Sequence, residues 1–142
     1  MLRFAQHDKG EKRMLNINGI HHIAIICSDY KKSKHFYSEI LGLKILREIY
    51  RKERNSYKLD LEVGNQYQIE LFSFPDPPAR PSWPEAAGLR HLAFEVDNIE
   101  AAVTHMHASG VSVEPARIDE YTGKRFTFFA DPDGLPIEFY ER

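Results

Sequence analysis

Hydrophobic residues recur at every second position in two stretches, one near the start of the chain and one past its middle. In Gly19–Asp29, Ile23, Ile25 and Cys27 share one face of a strand, while His22, Ala24 and Ile26 share the other. In Gly88–Asp97, Leu92, Phe94 and Val96 oppose His91 in the same way. Each stretch is answered downstream by a strand that carries a glutamate among apolar neighbours. Those strands are Gln68–Phe72, around Glu70, and Pro136–Tyr140, around Glu138.

Between these anchors the periodicity changes in the same order twice. Asn18–Cys27 reads as a strand, Ser28 and Asp29 as a helix cap, and Tyr30–Leu41 as a helix. In that helix Phe36, Tyr37, Ile40 and Leu41 fall three and four apart, and Gly42 supplies the left-handed stop. Leu43–Tyr50 is a strand and Arg51–Asn55 a charged turn. Ser56–Val63 and Gln66–Phe74 form a hairpin on Gly64 and Asn65. Five prolines between Pro75 and Pro84 then impose an irregular connection.

The order restarts with a strand at Leu89–Val96. A helix at Ile99–Ser109 follows, capped by Asp97 or Asn98 and stopped by Gly110. A short strand at Val111–Glu114 precedes a hairpin of Gly123–Ala130 with Leu135–Tyr140 around Asp131-Pro132-Asp133-Gly134. Both halves read β-α-β-β-β, an internal duplication of about 50 residues. The expected fold class is α+β, built from two paired βαβββ modules over roughly 17–74 and 88–142 with a linker at 75–87. Residues 15–142 form one domain behind a flexible tail at 1–14.

Composition narrows the partners. The 142 residues are 42% hydrophobic and 28% charged, as in ordinary soluble domains. A net charge of −2 offers no footprint for nucleic acid or an acidic membrane surface. No apolar run approaches the roughly 18 residues that span a bilayer. The leader is charged and lacks the apolar middle of a signal peptide. The single cysteine, Cys27, excludes an intrachain disulfide, reads as a small buried filler and suits a reducing cytoplasm.

Taken singly, a strand histidine is usually a hydrogen-bonded core or rim residue, and a strand glutamate usually faces solvent. Here two of each recur at matched places: His22 and Glu70 are 48 positions apart, His91 and Glu138 47. A carboxylate among apolar side chains is costly unless a cation shares the site. Two neutral imidazoles and two carboxylates make a neutral seat for a divalent ion with positions left open. His21 competes with His22, but alternation sets it on the opposite face with Ile23 and Ile25. His35, His105 and His107 fall on helix surfaces, and His7 lies in the tail.

At these residues the chain resembles the vicinal oxygen chelate superfamily, and within it glyoxalase I (lactoylglutathione lyase) and its bacterial relatives. The carrying pieces are the His22-Ile-Ala-Ile strand, Phe36-Tyr37-Ser38-Glu39-Ile40-Leu41-Gly42-Leu43, and Ile69-Glu70-Leu71. Gly88-Leu89-Arg90-His91-Leu92-Ala93-Phe94 and Asp131-Pro132-Asp133-Gly134 through Glu138 complete them. The resemblance implies sheets curling into a half-barrel around one divalent metal (Ni²⁺, Zn²⁺ or Co²⁺), a small-molecule substrate and a homodimer. It implies His22, Glu70, His91 and Glu138 as ligands. Glu138 would be the base that removes a carbon-bound proton beside a chelated carbonyl, and Glu70 a ligand able to exchange roles with it.

Two departures bear on substrate. Glutathione-using members carry an arginine four residues after the first histidine and an asparagine four after the first glutamate. Here those places are Ile26 and Phe74. The expectation is a glyoxalase-type lyase or isomerase not optimised for glutathione. The alternatives are a non-catalytic binding module, or an epimerase or antibiotic-resistance relative. Further substrate-pocket candidates are Phe72 and Phe74, which share Glu70's parity, and Lys124 and Arg125 as anion contacts. Tyr121 and Thr122 lie in a loop placed to overhang the site, and the proline-rich linker is a rim or dimer contact.

Overall fold

The computed structural model describes residues 15–142; the tail expected at 1–14 lies outside the described residues. Two four-stranded mixed sheets share one core. Strand β1 (His22–Cys27) leads through α1 (Tyr30–His35) and a wider turn at Phe36–Ile40 to β2 (Lys44–Arg51), β3 (Ser56–Val63) and β4 (Tyr67–Ser73). The second module repeats this with β5 (Leu92–Val96), α2 (Ile99–Ala108), β6 (Arg117–Ile118), β7 (Arg125–Ala130) and β8 (Pro136–Glu141). The sheet orders are β1-β4-β3-β2 and β5-β8-β7-β6, with β1 parallel to β4 and β5 parallel to β8. Among the described residues no helix is long and apolar enough to cross a membrane.

Alternation holds as expected. In β1, Ile25 and Cys27 are buried and Ile23 packs against the core, while His22, Ala24 and Ile26 stand exposed on the other face. In β4, Ile69 and Leu71 are buried on either side of Glu70, and in β8 Ile137 and Phe139 flank Glu138. A one-residue slip of β4 or β8 would expose these side chains, at about 1.5–3 kcal/mol each. Burial of one face is therefore what holds the histidines and glutamates on the other.

Local signals act where the sequence places them. Asp29 caps α1 by accepting from the Lys32 backbone N–H at 3.1 Å, and Asn98 caps α2 through the Ala101 N–H at 2.9 Å. Gly64 and Asn65, at φ 57° and 66°, make the tight turn of the first hairpin. The first helix is not uniform. Its second half closes a Leu41 N–H to Phe36 carbonyl bond at 2.9 Å, one residue wider than an α-helical turn, which buries both Phe36 and Tyr37.

The strand expected at Val111–Glu114 is absent. Val111 and Val113 pack on the core, but only Glu114 joins β7, donating its N–H to the Phe128 carbonyl at 2.9 Å. Pro115 has no N–H to continue a ladder, so pairing resumes beyond it at Arg117–Ile118.

The modules meet through the helix layer. Tyr37 is fully buried and donates its hydroxyl at 2.7 Å to Asp131, in the turn between β7 and β8. Ser28 binds Asp133 through both its backbone N–H and its hydroxyl, and His105 on α2 reaches the Ile40 carbonyl at 2.7 Å.

Candidate metal centre

His22 opens β1, on the face it shares with Ala24 and Ile26. Its Nδ1 is 3.6 Å from Oε2 of Glu70, which lies on the neighbouring strand with its side chain only 12% exposed. The same carboxylate oxygen accepts from the Gln68 amide at 3.2 Å and has the Lys58 ammonium at 3.8 Å. His91 sits just ahead of β5, with Nε2 3.1 Å from Oε1 of Glu138. Its ring stands edge-on to Phe128, centroids 5.0 Å apart, and its Nδ1 is buried without a hydrogen-bond partner.

The four expected ligands thus come together in twos, one His–Glu pair per sheet. Among the described residues no group of three or more His, Cys, Asp or Glu side chains stands close enough to hold an ion. Topology is the reason. β1 and β5 are edge strands of different sheets, so no ladder brings the first pair to the second. Each pair has metal-like spacing by itself: two ligands about 2.1 Å from one ion and at right angles stand roughly 3 Å apart. The 3.1 Å pair matches that separation, and the 3.6 Å pair needs only a wider angle at the ion.

Beside Glu70 the same face is strongly charged. Asp60, opposite Glu70 in register, is buried and takes Lys58 at 2.7 Å and Arg47 at 3.0 Å. Burial pushes its carboxyl up, but these hydrogen-bonded cations outweigh that and hold it below the usual carboxylate range. A depressed pKa contributes stability above the unfolded value of about 3.9, lost as pH falls through the folded one. Asp60→Asn is therefore expected to cost about 1.5–3 kcal/mol at neutral pH. The cost should shrink toward pH 3, as read by urea denaturation at both pH values.

Phe72 and Phe74 lie on this face, with rings 6.0 Å apart and the Arg51 guanidinium 4.8 and 5.7 Å from their centroids. Lys124 is exposed in the loop before β7, its backbone N–H tied to Thr122. Arg125 does not face the site. It shares the parity of the buried Thr127 and Phe129, and so points to the helix side. There it binds Glu141 at 2.8 Å and Glu100 at 3.0 Å. Glu141 also accepts the Ile99 N–H at 3.0 Å, so Arg125 fastens the start of α2 to β8.

Three features were missed from sequence. His21 does not take the opposite face: it precedes β1, where alternation no longer applies, and its Nδ1 lies 2.8 Å from that of His22. Phe126, Phe128 and Tyr140 wall the Glu138 face, with Phe128 directly opposite Glu138 in register. The alternation of β7 and β8 carries the signal for them, since all three share Glu138's face. A cavity of about 620 Å³ opens next to Phe128, lined also by Trp83, Arg90, Arg117 and Pro136.

The sequence matches the family model described as Glyoxalase/Bleomycin resistance protein/Dioxygenase superfamily over residues 19–139. It is 61% identical over 126 residues to the uncharacterized protein YwkD of Bacillus subtilis (strain 168), spanning 89% of this chain and 98% of that one. The solved structure of a glyoxalase family protein from Enterococcus faecalis is similar at TM-score 0.80 and 51% identity, over 87% of this chain and 98% of the other. A probable lactoylglutathione lyase of Vibrio cholerae is 28% identical over 125 residues, 84% of this chain and 88% of that protein. Likenesses of comparable strength run to methylmalonyl-CoA epimerases and a putative ring-cleaving dioxygenase. The printed names of these relatives span several chemistries, so the shared family does not by itself fix a reaction. With its duplicated modules, its two His–Glu pairs and a family match over nearly its whole length, the chain belongs to the glyoxalase/bleomycin resistance protein/dioxygenase superfamily.

Proposed function

We propose that this protein is a metal-dependent lyase or isomerase of glyoxalase type, removing a proton from the carbon next to a chelated carbonyl. The observation that carries the reading is the repetition of one His–Glu pair, at ligand-like spacing, in equivalent strands of both modules. His22, Glu70, His91 and Glu138 would hold one divalent ion, Ni²⁺, Zn²⁺ or Co²⁺, as the donor set of imidazole and carboxylate suits all three. When bound, the ion polarises two adjacent substrate oxygens and acidifies the neighbouring C–H. Glu138 takes the proton. Its side chain is 13% exposed, held by His91 and walled by Phe128, so bulk water competes little for the carboxylate. Glu70 occupies the matching place on the other half and returns or removes a proton on the opposite substrate face.

A second copy of the chain completes the site. Among the described residues β1 and β5 are both sheet edges, and exposed Ile17, Ile20, Ile26 and Leu89 lie in or just before them. In this reading, two copies docked edge to edge would bring the second His–Glu pair of one copy to the first pair of the other, and two-fold symmetry would make two such sites. Ile26, 55% exposed on the His22 face, offers an apolar contact where a glutathione clamp would need charge. The site is accordingly not optimised for a glutathione adduct.

The test is metal analysis after chelation and reloading, followed by deuterium exchange at the α-carbon of methylglyoxal hemithioacetals made with several thiols. One ion per chain and exchange that disappears on chelation are expected, with glutathione not the preferred thiol. A protein that takes up no ion ends the reading. The rival reading, a binding module using the cavity beside Trp83 and Phe128, predicts ligand affinity without any exchange.

A further inference from the structure

Five lysine and arginine side chains are half-buried among the described residues, and four have obvious partners. Lys34 binds Glu48, Lys58 binds Asp60, and Arg125 binds Glu141 and Glu100. Arg80 spends its donors on the carbonyls of Leu89 and Arg90 and on the Ser82 hydroxyl. Arg51 is the exception. It has no acidic group within 4 Å among the described residues, one hydrogen bond from Nη2 to Ser56 at 2.9 Å, and a buried Nε with no partner. A planar cation taken partly out of water without an anion is a costly arrangement unless something supplies the charge.

Its position gives that cost a use. Arg51 ends β2 opposite the fully buried Ser56, on the sheet face that carries Glu70, and its guanidinium lies over Phe72 and Phe74. Phe72 is two residues from Glu70 and directly opposite Lys58. The rings hold the plane of the fork while leaving its donors unspent, apart from the one bond from Nη2 to Ser56. In the second module Arg117 lies likewise over Phe126 and Phe128, but it is exposed and already paired with Glu114 at 3.4 Å. Of the two arginines that lie over phenylalanine pairs, only Arg51 lacks an acidic partner among the described residues.

We infer that Arg51, on its Phe72–Phe74 platform, is the specificity-determining contact for a carboxylate on the substrate, at the end of an apolar body that lies along the rings. A planar fork matches a carboxylate with two parallel hydrogen bonds, which an ammonium would not reproduce. The inference rests on the proposed function for where the reacting end sits. It names the class of molecule that site takes: an apolar oxo acid or acyl carboxylate, rather than a neutral or zwitterionic thiol adduct.

The test titrates 3-phenylpropionate and 3-phenylpropionamide, identical but for the charge, into full-length zinc-loaded protein by calorimetry or ligand-observed NMR. The wild-type protein should prefer the carboxylate about tenfold or more. Arg51→Gln should erase the preference and leave amide affinity and zinc uptake unchanged, while Arg51→Lys restores only part of it. Equal affinity for the two probes in wild type overturns the assignment, as does a carboxylate preference that survives in Arg51→Gln. Failure of zinc uptake sinks the metal reading alone, since the same titration on protein as purified still reads the arginine.

Discussion

Glu138→Gln is expected to lower α-proton exchange by about a thousandfold, within the 10²–10⁴ that a positioned base contributes, while zinc or nickel stays bound. The two halves of the prediction come from different atoms. An amide oxygen can still face His91 Nε2, where Oε1 now sits at 3.1 Å, so the donor set loses charge but not shape. The amide cannot accept a proton, and no other acid in the second module lies on that face within reach of His91. Exchange is read by NMR in D₂O and metal content by elemental analysis of the same sample. Turnover that survives the substitution removes Glu138 as the base. Loss of metal together with turnover shows the carboxylate acting as ligand first, and shifts the base to Glu70.

The second large effect concerns the join between modules. Asp131→Ala is expected to cost about 3 kcal/mol, on the order of 10 °C in Tm for a chain of this size. Asp131 is buried, and its carboxylate accepts from the Tyr37 hydroxyl at 2.7 Å and from the Asp133 and Leu135 N–H groups at 2.9 Å each. Alanine leaves three donors without their acceptor, two of them, the Tyr37 hydroxyl and the Leu135 N–H, in buried positions. Tyr37→Phe removes one donor with the rest intact and should cost less.

Asparagine at 131 keeps the shape without the charge and gives the sign test. Burial raises the Asp131 pKa in the folded protein, despite the hydrogen bonds that pull it down. A raised carboxyl contributes its stability below the unfolded pKa of about 3.9 and loses it as pH climbs through the folded value. Wild type should therefore compare best with Asp131→Asn near pH 4 and less well at pH 7, by denaturant titration. A difference that grows toward pH 7 contradicts the burial account.

Most of the architecture was legible because it is written in short-range periods. Alternation in β1, β4 and β8, and the turn residues Gly42, Gly64, Asn65 and Gly110, each act within a few positions of themselves. The β-α-β-β-β order and its repetition followed from those alone. Parity also puts one histidine and one glutamate of each module on a shared face, where they stand 3.6 and 3.1 Å apart, but it does not bring the two pairs together. Parity does not reach His21, just before β1, whereas Arg125 is an anion contact on charge alone until the alternation of β7, counted from Thr127, turns it to the helix side. The missing strand at 111–114 was a propensity reading overruled by Pro115.

By itself, then, the chain determined two modules, their order, and two imidazole–carboxylate pairs on the faces turned from the helices. Tertiary structure alone decided that the pairs stand on separate sheets, that Tyr37 fastens one module to Asp131 in the other, and that Arg51 lies uncompensated over two phenyl rings. The physical reason is range. Face and period are set by backbone geometry between near neighbours, whereas the meeting of residues 37 and 131, or of 51 and 72, depends on how whole sheets pack, which no local pattern of hydrophobic and polar positions encodes.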